Sequence, residues 1–217
     1  MKAWDLLSIT YNSSEMVPRI MVGLLCIGLL SGCKSAEDYL SEGRDLSSAG
    51  DFKAALLTFE KAIQENPFLK DAYIHLGLCH ENLNQQDSAI NIYRKLLNLY
   101  PDNTAAYYYS GLCKYEQKKF DEAIVLFNKA IDTKGGFNSA DTTSIQAIID
   151  LNKDNFESES DDIDIPTREI LYDRGMAYYK TGQIKNACYD FANCIIQKYN
   201  TEESHYMIGL CKADKRK

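Results

Sequence analysis

A glycine recurs in this chain at 34-residue intervals, and the rest of the sequence falls into register with it. Gly43, Gly77, Gly111, Gly175 and Gly209 are separated by 34, 34, 64 and 34 residues. Twelve residues after each of the first four stands an alanine (Ala55, Ala89, Ala123, Ala187), and four residues later a ring (Phe59, Tyr93, Phe127, Phe191). Pro67 and Pro101 keep the same interval of 34. A fixed period of this size means that one supersecondary unit is copied along the chain. Each copy then buries its apolar face only against its neighbours.

Within a unit the pattern is that of two amphipathic helices joined by a turn, such as Ser48-Ala49-Gly50-Asp51 or Lys180-Thr181-Gly182. The recurrent glycine lets the first helix approach the second closely. Ala55, Phe59 and Ala62 share one helix face at i, i+4 and i+7, and Ala123, Phe127 and Ala130 repeat the arrangement. A large ring between two small residues fills the space between paired helices. Proline lacks the N–H and clashes with the preceding turn, so Pro67 and Pro101 stop the second helix.

By its period and its Gly, Ala, aromatic, Pro order together, the sequence resembles the tetratricopeptide repeat family. The resemblance covers units one to three over residues 36–135 and unit four over 167–201, with a fifth first helix after it. It implies an all-α fold, a right-handed superhelical solenoid of helix pairs. Residues 202–217 are expected to form a terminal capping helix, about Glu202 to Ala213, with a basic tail suited to a helix C-terminus.

The 64-residue spacing is one period plus 30 and places an insertion at residues 136–166. Gly135-Gly136 is expected to end the third unit, and Ser144 to Leu151 could add a short helix. From Asp154 to Asp164 six of eleven residues are acidic. The plainest reading is a solvated loop. A calcium loop is disfavoured because the glycine and terminal Glu of an EF-hand are missing. A loop that contacts a partner or covers a groove stays open as the third reading.

The most apolar stretch, Ile20 to Leu30, has eleven residues, about 16 Å as a helix and too short for a bilayer core of about 30 Å. It follows Arg19 and leads into Leu30-Ser31-Gly32-Cys33, an arrangement that resembles a bacterial lipoprotein signal and its lipobox. The resemblance implies a signal peptide at residues 1–32, lipidation of Cys33, and residues 33–35 as lipidated Cys and short tether. Met16-Val17-Pro18-Arg19 makes the more compact start of such a signal than Met1. More than one acyl chain makes a stable anchor. In Gram-negative lipoprotein families Lys34 rather than Asp after the cysteine implies the outer membrane, and the periplasmic face is the expected one.

With 24 Lys+Arg against 31 Asp+Glu, a net charge of −7 and no basic block in the body of the chain, a counterion-releasing nucleic-acid surface is excluded. Cys79, Cys113 and Cys211 each follow a repeat glycine by two residues, so a repeated packing role is expected of them. Cys188 and Cys194 lie outside that pattern, and a Cys194–Cys211 disulfide is the alternative. His75, Cys79 and His80 have helical spacing for a metal, but Cys79 is expected to face the neighbouring helix. The sequence contains no G-x-S-x-G, P-loop or H-E-x-x-H. A non-catalytic protein without cofactor or metal is the expectation.

What remains is recognition. The family resemblance implies a concave groove lined by first helices, at positions three before and one after each glycine. These are Leu40 and Arg44, Ile74 and Leu78, Tyr108 and Leu112, Tyr172 and Met176, Tyr206 and Leu210, and Tyr115 and Tyr179 extend the stripe. The groove is expected to be apolar and aromatic with Arg44 near one end. Tyr108 and Tyr172 are expected to serve contact rather than folding. Tetratricopeptide proteins that clamp acidic C-termini use Lys and Asn where this chain has Leu40, Ile74 and Leu78. The expected partner is therefore a protein or peptide segment with hydrophobic anchors, with self-association left open. In size and layout the chain resembles the tetratricopeptide lipoproteins that assist β-barrel assembly or act as pilotins for type IV pilus secretins. A surface-exposed glycan- or nutrient-capture lipoprotein is the alternative, although the only Trp, Trp4, falls in the segment to be removed.

Overall fold

The computed structural model describes residues 34–135 and 163–214. Among the described residues the regular elements are all helices. In chain order they are α1 (Ala36–Ser48), α2 (Phe52–Glu65), α3 (Lys70–Asn82), α4 (Gln86–Leu99), α5 (Thr104–Glu116) and α6 (Phe120–Asp132). After the insertion come α7 (Thr167–Lys180), α8 (Ile184–Ile196) and α9 (Thr201–Asp214). The expected lipid-bearing Cys33, the helix and calcium loop considered for the insertion, and the last basic residues lie outside the described residues.

Helix boundaries follow from local chemistry. The Asp51 carboxylate caps α2 by accepting from the Ala54 amide at 3.1 Å, and the Asn103 side chain caps α5 by accepting from the Ala106 amide at 2.8 Å. The residues before Pro67 and Pro101 leave the helical region, Asn66 at φ −136° and Tyr100 at φ −134°, because the proline ring disfavours helix in the preceding residue. Between the helices of a unit the turn needs a left-handed residue. Gly50 (φ 82°) and Gly182 (φ 74°) supply it in units one and four, while Asn84 (φ 57°) and Lys118 (φ 61°) accept the strain in units two and three.

Each helix packs on the next along the chain, and α6 packs on α7 just as α2 packs on α3 and α4 on α5. The insertion therefore leaves the stack unbroken, and the array is a solenoid. Its core repeats one motif. Phe59, Tyr93, Phe127 and Phe191 are each fully buried beside fully buried alanines. A Cβ on Gly43, Gly77 or Gly111 would come within 2.5, 2.2 or 2.6 Å of the ring of Phe59, Tyr93 or Phe127. Only glycine allows that approach. At Gly175 the nearest approach relaxes to 3.1 Å, and at Gly209 nothing lies within 4 Å. The close approach of glycine to ring thus recurs in four units and is missing at the fifth glycine, which has no ring against it.

The join across the insertion has its own polar lock. Arg174 of α7 donates from Nε and Nη2 to the two carboxylate oxygens of Asp190 on α8, at 2.9 and 2.8 Å, and from Nη1 to Asn128 Oδ1 on α6 at 2.7 Å. Arg174 and Asp190 are both buried. Ile165, at the end of the insertion, is buried in the core, and Lys134 pairs with Asp164.

Candidate functional site: the face of the first helices

Beyond consecutive neighbours, the contacts that recur join alternate first helices: α1 with α3, α3 with α5 and α5 with α7. The first helices thus form the tighter layer, the stack curves toward them, and their free side is the concave one.

The residues expected to line that side divide into three groups. Leu78, Leu112, Tyr115, Tyr172, Met176, Tyr179 and Leu210 are half-buried and keep part of their surface available. Arg44 and Tyr206 are exposed. Leu40, Ile74 and Tyr108 are buried, Ile74 with only 1% of its surface accessible, so they form the floor beneath the groove rather than its contact surface.

Tyr108 corrects the sequence-based expectation most clearly. Its ring centroid lies 5.9 Å from that of Phe127 and 5.3 Å from that of Tyr109, and its hydroxyl donates to Asp173 Oδ2 at 2.6 Å. It is a strut between α5 and α7. Removing it would disturb the stack as well as any ligand.

Arg44 is committed too. Its Nη2 meets Asp71 Oδ2 at 2.5 Å, and its Nε donates to His75 Nε2 at 3.0 Å. His75 also stacks on Phe59 with centroids 5.5 Å apart. Burial, and secondarily the Arg44 charge, lower the imidazole from 6.5 to about 4, so the ring is neutral and accepts the Arg44 hydrogen bond. Beside this trio a cleft of about 520 Å³ is lined by Leu40, Phe68 and Lys70 among others.

Sequence reasoning missed the groove's charge. The half-buried Glu81, Glu169 and Asp173 and the exposed Glu116 stand among the tyrosines. Glu81 accepts from the Tyr93 hydroxyl. Burial, and secondarily the Glu169 charge, push Asp173 up from 3.8 to about 6 against the opposing hydrogen bond from Tyr108. Tyr109 feels Glu81 and Glu169, Tyr115 feels Asp173 and Glu116, and Tyr172 is bonded to Glu203. Among the described residues no Lys or Arg forms an ion pair with Glu81, Glu116, Glu169 or Asp173. The groove is aromatic and acidic, not simply apolar and aromatic. A signal was present: six residues before the glycine the chain has Glu37, Asp71, Glu169 and Glu203 in four units of five, and Glu81 occupies the same stripe as Tyr115 and Tyr179.

The cysteines are packing residues. Among the described residues Cys79, Cys113, Cys194 and Cys211 are buried and Cys188 is half-buried, and none of these is in a disulfide, so the Cys194–Cys211 disulfide is not formed. Burial pushes the Cys194 thiol up to about 12, away from reactivity. Among the described residues no group of three His, Cys, Asp or Glu side chains is placed to hold a metal ion.

Residues 48–130 match the family described as anaphase-promoting complex, cyclosome, subunit 3. The chain is 33% identical over 67 residues to tetratricopeptide repeat protein 1 of Schizosaccharomyces pombe, a match covering 30% of this chain but 6% of that much longer protein. Among solved structures, the MamA protein superposes with a TM-score of 0.61 at 18% identity, covering 83% of this chain and 82% of its own. YrrB, described as a TPR protein with an unusual peptide-binding site, superposes with a TM-score of 0.60 at 18% identity over 88% of this chain and 83% of its own. At these identities the structural likeness is one of fold. Repeat order, helix-pair packing and these likenesses together make the array a tetratricopeptide-repeat solenoid.

Proposed function

We propose that the protein is a non-catalytic scaffold that binds a segment of another protein along the concave face of its first helices, while lipid on Cys33 holds it at the outer membrane of a Gram-negative envelope. The observation that carries this reading is the cluster of half-buried Tyr115 on α5 and Tyr172, Met176 and Tyr179 on α7. These side chains are large and already held by the stack, so little conformational entropy is lost when a ligand covers them. The description of YrrB as a TPR protein with a peptide-binding site supports a peptide segment as the ligand. The lipobox-like Leu30-Ser31-Gly32-Cys33 supports the anchor, and Lys34 supports the outer membrane. Assembly of a secretin or β-barrel is the setting that layout suggests.

The test is site-specific photocrosslinking in the native envelope. A crosslinking residue at Tyr115 or Met176 is compared with one at Leu57 or Val125, exposed positions on second helices. Protein adducts from the first pair alone are expected, and equal adducts from both pairs defeat the groove. Labelled palmitate should enter the wild type and not Cys33→Ser. Incorporation into that variant defeats the anchor.

A further inference from the structure

Resting on the groove reading above, we infer that the segment bound there is cationic, a partner stretch bearing lysine or arginine whose charges are received by Asp173, Glu169, Glu116 and Glu81 between the tyrosines of α5 and α7. The groove and such a segment are complementary in charge. These four carboxylates come from α3, α5 and α7, and hydrogen bonds reach Glu81 and Asp173 from the neutral hydroxyls of Tyr93 and Tyr108. A neutral donor orients a carboxylate without cancelling its charge. Among the described residues no cation forms an ion pair with any of the four. The negative potential is therefore left for a ligand to satisfy, in a groove whose curved walls screen it less than open water does.

The tyrosines point to the same chemistry. Elsewhere in this molecule their ring faces already receive cations, Lys70 over Tyr100 at 4.7 Å, Lys129 over Tyr107 at 5.6 Å and Arg168 over Tyr199 at 5.8 Å. A lysine or arginine between Tyr115 and Asp173 would gain both contacts at once. The chain's own insertion is opposed as occupant, because its stretch from Asp154 to Asp164 carries six acids and like charge.

The experiment measures fluorescence anisotropy of labelled peptides with the full-length lipidated protein in detergent. The probes are a short peptide of alternating leucine and lysine, the same peptide with glutamate for lysine, and the same with glutamine. The lysine peptide should bind best, weaken as salt is raised, and lose about fivefold in affinity with Asp173→Asn or with Glu116→Gln. Glu116 is exposed, so its variant keeps the test valid if Asp173→Asn fails to fold. If the glutamate or glutamine peptide binds as well and Tyr115→Ala releases it, the groove stands and the cationic inference falls. Lysine-peptide binding indifferent to both carboxylate variants also overturns it. Binding of no peptide overturns inference and groove together. Self-association by sedimentation that disappears when Lys215, Arg216 and Lys217 are replaced by Ser would make a second copy the occupant and overturn the partner assignment.

Discussion

Replacing Asp190 with Ala should be among the most damaging single substitutions in the chain, and its partner variant should reverse the damage. Asp190 has 1% and Arg174 5% of side-chain surface accessible, and the carboxylate receives two of the three guanidinium hydrogen bonds. Asp190→Ala leaves the buried guanidinium with its one hydrogen bond to Asn128 and the face of the Tyr178 ring. Breaking a buried pair in this way costs about 3–5 kcal/mol, a large share of the roughly 5–15 kcal/mol that holds a domain together. In unit two the positions equivalent to Arg174 and Asp190 carry Leu76 and Ile92. The double variant Arg174→Leu/Asp190→Ile rebuilds that apolar pair and should recover most of the loss, since well-packed hydrophobic replacements of buried pairs are neutral or stabilising. Urea unfolding followed by circular dichroism gives the stability change. Because repeat arrays are held by nearest-neighbour contacts, amide exchange should place the loss in α7 and α8 and spare α1 to α4. A loss below about 1 kcal/mol in Asp190→Ala, against the magnitude for a buried pair, would refute the reasoning. So would a double variant no more stable than the single.

Gly111→Ala and Gly209→Ala should move stability in opposite directions. The first places a methyl 2.6 Å from the Phe127 ring and should cost about 1–3 kcal/mol, whereas the second meets nothing within 4 Å and should gain about 0.5–1 kcal/mol from reduced unfolded-state freedom. Equal thermal midpoints for the pair would remove the ring-on-glycine account. His75 and Asp173 should oppose each other on acidification. The His75 value is depressed to about 4, so its stabilising contribution is present above about 6.5 and lost as pH falls toward 4. The Asp173 value is raised to about 6, so its contribution is present below about 4 and lost as pH rises through 6. His75→Gln should therefore flatten the decline in stability between pH 6.5 and 4, and Asp173→Asn should steepen it. Parallel changes in urea midpoint for both variants would contradict the assignments.

The units, their helices, the ring that fills each core and the prolines that end the second helices were legible in the sequence because they depend on local period, and every copy repeats the same neighbours. Cys79 and Cys113 were readable as packing residues for the same reason. The groove was legible only as a stripe. Tyr108 shares its helix position with Tyr172, yet it is buried and bonded to Asp173, 65 residues away, while Tyr172 keeps part of its surface free.

What the sequence by itself determined is therefore the repeating part: helix pairs, their order, and which face of each helix is apolar. Tertiary structure alone decided three things: that α6 meets α7 across the insertion, that Arg174 finds Asp190 and Asn128 there, and that Glu81, Glu169 and Asp173 gather among tyrosines. The physical reason is range. Helix formation and the packing within a unit act over one period of the chain, whereas burial, ion pairing and the field in the groove depend on which surfaces the curvature of the stack brings together.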